Sequence, residues 1–433
     1  MKRNNKQESH NDLSSKVFKG MLTLAQGAIV ARIIGVISIP VLTRLYAPED
    51  YGVLAMYTAL IAMVAPILTA RYVQAIPLPK SEIIAAALFY LCLKYIVINA
   101  AIIFIIFYFF GDDFFKLIGM QSLAKWWVLL VLGIVSTAFY ELLTLWATRA
   151  KRYRELSSSQ VSLSIQGVLL KIVLGVFSMQ PAGLLVGQFV SQGGGAGGLL
   201  RNSYKSLISL RDKIDKSKIR FARRYYWQFP VYRLPSEFLA ILSVQAPILM
   251  MALLYGDANT GMLSLALSAL SLPSSLIGVS ISRAYYAEVA SLGRKKAKEI
   301  KKLTFDVQKK LFMISLPIMV VLVMFSQQLF SFAFGKEWED AGTYAAILAP
   351  YVLFQFTSSP LMKVINVVGS QLHILLLYSA RVAGLIIVFL FARCLEINSK
   401  EFVVFISFYL SAFYILMTVF IILMVARVAK KTA

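Results

Sequence analysis

Eight ionisable side chains lie inside stretches that are otherwise apolar: Arg32, Lys94, Lys171, Arg233, Lys363 and Arg381 are basic, Glu141 and Glu237 acidic. A charge at such a place costs roughly 2.5–3.5 kcal/mol on insertion scales, so it is expected to face a partner, a ligand or a wet space. Arg presents a planar fork to carboxylate or phosphate, and Lys a point charge. Six cations against two carboxylates therefore suit an anionic ligand rather than an organic cation. Depth singles out Arg32, Lys171 and Arg381 as anion contacts and Glu141 as a counter-ion or coupling group. Arg233 and Lys363 are further candidate anion contacts and Glu237 a further coupling candidate, but they lie nearer the ends of their stretches, where a long stem also reaches the interface. Arg233 and Glu237 stand four residues apart, the spacing of a helical ion pair. Lys94, amid large apolar residues, also fits a structural pair.

Polar stripes support the choice. Thr137, Glu141, Thr144 and Thr148 share one helical face, as do Gln160, Ser164, Gly167 and Lys171. Ser264, Ser268, Ser271, Ser275 and Ser282 repeat at helical spacing, and so do Tyr351, Gln355, Ser359 and Lys363. Arg32 shares its face with Ala25, Ala28 and Gly35. Small and hydroxyl residues also line ordinary helix contacts in lipid. The ninth and twelfth apolar runs carry no interior charge, so the stripes are expected to converge on one shared cavity, net positive by six cations to two carboxylates and lined by Thr137, Thr144, Ser268, Ser271, Ser275 and Gln355.

The elements that must carry these residues follow from composition. The 433-residue chain is 59% hydrophobic and 15% charged, with a mean hydropathy of +0.72. Runs of about 20 apolar residues, enough to span the hydrocarbon core as helices, recur from end to end. Twelve are expected, near 21–44, 51–70, 83–110, 125–148, 156–178, 181–200, 229–254, 260–283, 311–329, 341–368, 372–394 and 402–426. The fold class is an all-α polytopic membrane protein; the short alternating segments of a β-barrel are missing.

Twelve spans place both termini on one side. Segments on that side hold 32 of the 44 basic residues, the other side only six. The opposite loops are short and gather acids, as in "APED", "GDDFF" and "GKEWED". Such asymmetry places the termini in the cytoplasm. It also accounts for the net charge of +23 without nucleic acid. The expected organisation is a tail at 1–20, a first lobe at 21–204, a basic linker at 205–228, a second lobe at 229–427 and a tail at 428–433.

"RLYAPEDYGVL" and "LLYGDANTGML" align Leu45, Tyr46 and Gly52 with Leu254, Tyr255 and Gly261 at one offset of 209 residues. The two halves then form a parallel repeat of six helices each, with its axis along the membrane normal. No P-loop sequence occurs, and His10 and His373 are the only histidines, so nucleotide, metal and triad chemistry are not expected. The run "QGGGAGGLL" lacks a following Lys and reads as close helix packing or a joint.

Beyond these patterns, "RIIGVISIPVLTRLYAPEDYGVLAMYTAL", "RYVQAIPLPKS", "YWQFPVYRLPSEFLAILSVQAPILMMALLYG", "SLALSALSLPSSLIGVSIS" and "FGKEWEDAGTYAAILAPYVLFQFTSSPL" carry a resemblance. They resemble the polysaccharide biosynthesis (Wzx-type oligosaccharide flippase) family, in the superfamily shared with multidrug and toxic compound extruders (MATE) and lipid II flippases. The resemblance implies two MATE-like six-helix lobes in the bacterial cytoplasmic (inner) membrane, without cofactor. It implies a substrate, an undecaprenyl-pyrophosphate-linked oligosaccharide destined for O-antigen, capsule or exopolysaccharide. The implied partners are membrane lipids, a coupling proton or sodium ion, and polysaccharide polymerase machinery. No short motif fixes the family's cavity cations, so the site residues rest on depth and stripe alone. A lipid II flippase, a MATE-type drug antiporter and a polytopic glycan polymerase or ligase stay open as alternatives. Neighbouring glycosyltransferase genes would favour an oligosaccharide flippase, and neighbouring cell-division genes a lipid II flippase.

Overall fold

The structure, a computed structural model, describes residues 2–194, 196–274 and 278–431. Every regular element among the described residues is helical. The first eight long helices are α1 (Lys2–Leu45), α2 (Pro48–Leu68), α3 (Glu82–Leu117), α4 (Trp127–Arg149), α5 (Tyr153–Val176), α6 (Ala182–Phe189), α7 (Gly197–Arg211) and α8 (Lys216–Tyr225). After them come α9 (Leu234–Pro273), α10 (Val279–Leu292), α11 (Ala297–Phe334), α12 (Glu339–Ser358), α13 (Gln371–Cys394) and α14 (Ser399–Lys431). Large apolar side chains cover their outer faces; Phe332 is 85% exposed and Leu117 80%. Water would oppose such exposure, and lipid does not. This is a multi-pass membrane protein.

Ten helices among the described residues are long and apolar enough to cross a membrane, against twelve expected. The difference lies at two places. Phe229–Pro273 forms one 45-residue apolar stretch, about 67 Å if straight and so more than twice the hydrocarbon core. Gly256 breaks it, with φ 76° and ψ −172°. That backbone region is open essentially to glycine alone, so 229–255 and 257–273 are separate helices, near the expected boundary. The second place is the expected span 181–200. It holds the eight residues of α6, a wide π-type turn over Val190–Gly194, and then α7. The run expected as close helix packing or a joint begins there, with Gly193 against the Ser136 carbonyl.

The chain divides into two compact units. One comprises the chain up to Tyr46 together with Tyr57–Phe238; the other comprises Ala47–Met56 and the chain from Leu239. In the first unit small residues let helices close to backbone contact, as is usual in lipid. Gly27 of α1 meets Ser157 of α5, and Gly167 of α5 meets Gly187 and Ser191. Tyr46 donates its hydroxyl to the Lys171 carbonyl at 2.7 Å, its ring seated on Gly175 and Gly183.

In the second unit, Tyr255 donates to the Ile397 carbonyl at 2.8 Å. Gly52 lies against the Asp257 backbone carbonyl, and Gly261 against that of Pro48. At an offset of 209 residues these two contacts exchange partners, 48 for 257 and 52 for 261. Ser326 donates to the Gly342 carbonyl at 2.7 Å and holds α11 to α12. Trp338 is fully buried beneath the edge of Tyr51, with ring centres 4.9 Å apart.

The basic stretch expected as a linker is largely helical, carrying part of α7 and all of α8.

Candidate functional site

The two intramembrane carboxylates, both in the first unit, meet on a residue that the charge count places in a loop. α2 ends at Leu68, whose carbonyl accepts from Asn99 at 3.2 Å. Ala70 and Arg71 then turn through φ 44° and 59°. Two consecutive non-glycine residues in the left-handed region are costly, and they aim Arg71 inward, where it is 5% exposed. Its Nη1 donates to both Glu141 oxygens at 2.8 and 3.0 Å, its Nε donates to Glu237 Oε2 at 2.7 Å, and its Nη2 pairs with Glu237 Oε1. One guanidinium thus serves two carboxylates, from α4 and from the start of α9, with charge-assisted bonds.

Gln74 donates to Glu237 at 3.2 Å and accepts from Arg233 at 3.0 Å. The expected Arg233–Glu237 pair is the weaker link: its atoms are 3.8 Å apart and Arg233 is 57% exposed. Arg71 takes the carboxylate because it approaches as a fork, whereas Arg233 comes alongside from its own helix. Burial pulls the Arg71 guanidinium below its usual value, and the Glu141 carboxylate pushes it back up. Two arginines and two glutamates leave this hub formally neutral. Below it, Tyr72 donates to the Arg223 carbonyl at 3.1 Å, and Arg149 donates to the carbonyls of Ile76, Pro77 and Pro79.

On the same face of α4 as Glu141, the Thr137 and Thr144 hydroxyls are buried without a hydrogen-bond partner among the described residues. They flank the carboxylate by one turn on either side, ready for water or ligand. Lys171 stands apart from the hub in sequence and in partners. Its ammonium donates to Gln188 of α6 at 2.6 Å, and its stem packs on Gly187.

In the second unit Arg381 of α13 is 4% exposed and has no carboxylate within salt-bridge reach among the described residues. Its guanidinium lies 5.5 Å from the Tyr414 ring centre, a cation–π distance. Tyr409 donates to the Arg381 backbone carbonyl at 3.1 Å. Gln355 reaches the Tyr414 hydroxyl at 3.4 Å. The Arg381 Nε is buried and unpartnered among the described residues.

The remaining expected residues do not join these clusters. Arg32, Lys94 and Lys363 are exposed, and none has a carboxylate partner among the described residues. Ser268 and Ser271 are exposed, and Ser271 donates to the Ser268 carbonyl at 2.8 Å. Ser275 lies outside the described residues. The stripe from Tyr351 to Lys363 requires one continuous α-helix, but α12 stops at Ser358 and Ser359–Val364 tightens into a 3₁₀ turn. Pro360 is the cause, since it cannot supply the helical N–H.

No curated protein matches the chain. Solved structures share its fold at low identity. The lipid II flippase MurJ in an inward closed conformation superposes with a TM-score of 0.68 at 14% identity, over 92% of this chain and 87% of that one. An inward-facing multidrug resistance MATE transporter of the MOP superfamily gives 0.61 at 14%, over 95% and 96%. A mutant of the Vibrio cholerae MATE transporter VcmN gives 0.59 at 14%, over 98% of each. A sequence profile described as "Polysaccharide biosynthesis protein" matches residues 41–343, a stretch that takes in Arg71, Glu141, Lys171 and Glu237. A helical membrane chain with charges buried in its spans, matched over that length, belongs to the polysaccharide biosynthesis protein family.

Proposed function

We propose that the protein is a flippase, not an enzyme, which carries a polyprenyl-pyrophosphate-linked oligosaccharide from the cytoplasmic to the outer leaflet of a bacterial cytoplasmic membrane. One observation carries this reading. Both intramembrane carboxylates are held by Arg71, while Arg32, Lys94, Lys171, Lys363 and Arg381 have no carboxylate partner among the described residues. Cations left uncompensated in a membrane protein ask for an anion, and a pyrophosphate headgroup supplies one. A drug-cation antiporter would need free carboxylates instead. Membership in the polysaccharide biosynthesis family and the fold shared with a lipid II flippase support the same class.

In this mechanism twelve crossings form two pseudo-two-fold-related halves that alternate access, and the lipid tail stays in the bilayer. The reciprocal Gly52 and Gly261 contacts, and Tyr46 and Tyr255 each reaching the following fifth–sixth-helix region of its half, support that repeat. Both termini lie in the cytoplasm, on the side of the charge excess. Arg32, Lys171, Arg233, Lys363 and Arg381 hold the headgroup at successive stages, with Thr137, Thr144, Ser268, Ser271, Ser275 and Gln355 as polar lining. Coupling works through the hub. A proton on Glu237 or Glu141, or a sodium ion between them, removes one hold on Arg71, and the start of α9 is released.

Deleting the gene is expected to leave a lipid-linked oligosaccharide on the cytoplasmic leaflet, and accumulation of lipid II or of nothing would overturn the assignment. Arg32→Ala and Lys363→Ala test the cations. Exposed and without carboxylate partners among the described residues, they are expected to change stability by less than about 0.5 kcal/mol, yet to lower export at least tenfold in the complemented deletion strain. Wild-type export by both variants would remove them from the substrate path.

A further inference from the structure

We propose that α8, with the aromatic segment that follows it, is an interfacial anchor that binds anionic glycerophospholipid headgroups on the basic side of the membrane. The helix reads KSKIRFARRY, from Lys216 to Tyr225. At 3.6 residues per turn it has three stripes. Ile219 and Ala222 form the first; Ala222 is buried, and the helix rests there against α3. Phe221 and Tyr225, four residues apart, form the second. They are 51% and 65% exposed, with their rings stacked at 5.6 Å. Lys216, Arg220, Arg223 and Arg224 form the third, all exposed and without a carboxylate partner among the described residues.

A helix carrying aromatic rings on one open face and cations on the next suits the headgroup boundary of a charged leaflet. Water alone would oppose the ring face. Three further observations place it at that depth. Trp227 and Tyr232 continue the exposed aromatic row at 46% and 62%. The chain enters an apolar spanning stretch at Phe229, directly after the helix. The helix is also fixed rather than free: Asp215 accepts from the Lys218 amide at 2.8 Å at its start, and Tyr72 holds the Arg223 carbonyl at 3.1 Å. The four cations therefore form a preset row, and phosphodiester headgroups of the leaflet are its occupants. This anchoring role is independent of what the protein transports.

The test uses the full-length protein in neutral detergent, titrated with phosphatidylglycerol or phosphatidylcholine, with bound lipid counted by native mass spectrometry. The wild type is expected to bind phosphatidylglycerol at least tenfold more tightly than phosphatidylcholine. K216Q/R220Q/R223Q/R224Q is expected to lose that preference, with phosphatidylcholine binding and melting temperature unchanged. A second variant, F221S/Y225S, is expected to weaken both lipids. Undiminished phosphatidylglycerol binding by the quadruple variant would overturn the proposal. So would displacement of phosphatidylglycerol by inorganic pyrophosphate at equal concentration, because the row would then be a site for soluble phosphate.

Discussion

Arg71→Ala is expected to destabilise the protein by about 3 kcal/mol, the low end for removing one partner of a buried ion pair. The low end applies because Glu141 and Glu237 keep 30% and 23% of their side chains open, against 6% for the Arg71 side chain. The substitution strands two carboxylates, with Gln74 and Arg233, 3.8 Å away, left to answer Glu237. It also removes what holds Ala70 and Arg71 in the left-handed region. Thermal unfolding in detergent measures the loss. Adding Glu141→Gln and Glu237→Gln to Arg71→Ala is expected to restore most of the melting temperature but none of the export, since coupling needs ionisable carboxylates. If the triple variant melts as low as Arg71→Ala, the cost comes from the lost turn rather than the stranded charges.

Gly261→Val should be the most damaging single change in the second unit. A Cβ at this position would run into the Pro48 carbonyl oxygen, and one at Gly52 into the Asp257 carbonyl. Neither obstacle is a side chain that swings aside, so the helices must separate and lose their close packing. Forcing extra volume into a packed contact costs about 1–3 kcal/mol or more. Membrane-inserted but poorly folded protein, seen as a broad early peak on size exclusion, is the expected outcome. Gly35→Ala is the control. Nothing lies within 4 Å of the place its added methyl group would take, and alanine favours a helix by about 0.5–1 kcal/mol, so melting should hold or rise.

The same residues show how much of the molecule is legible in its sequence. Apolar runs place most spans within a few residues, because length and hydropathy alone decide what lipid accepts. Gly52 and Gly261 are visible as a repeat, and each sits where no side chain fits. Pro360 is visible too, but it does not by itself forecast the break in the stripe that leads to Lys363, since Pro350 stays inside α12. Arg71 is not legible. It follows a span by three residues, where an arginine normally faces water, and no glycine marks the left-handed turn that sends it inward. Nor does spacing reveal that Glu237 is answered from 166 residues away rather than from its own helix. Pairing across sequence is a tertiary fact. The tyrosine surroundings of Arg381 are partly readable, since Tyr351 and Gln355 share a stripe, but Tyr409 and Tyr414 come from another helix.

The proposed flippase mechanism requires uncompensated cations to carry a pyrophosphate headgroup through this fold. Purified protein in liposomes, given a fluorescent polyprenyl-pyrophosphate oligosaccharide in one leaflet, tests it most directly through lectin capture of the sugar on the other side. Wild-type protein is expected to deliver the sugar faster than empty liposomes do, and R32A/K363A to deliver it at the empty rate while folding normally. Equal rates for wild type and R32A/K363A, or none above background for wild type under both proton and sodium gradients, would contradict it.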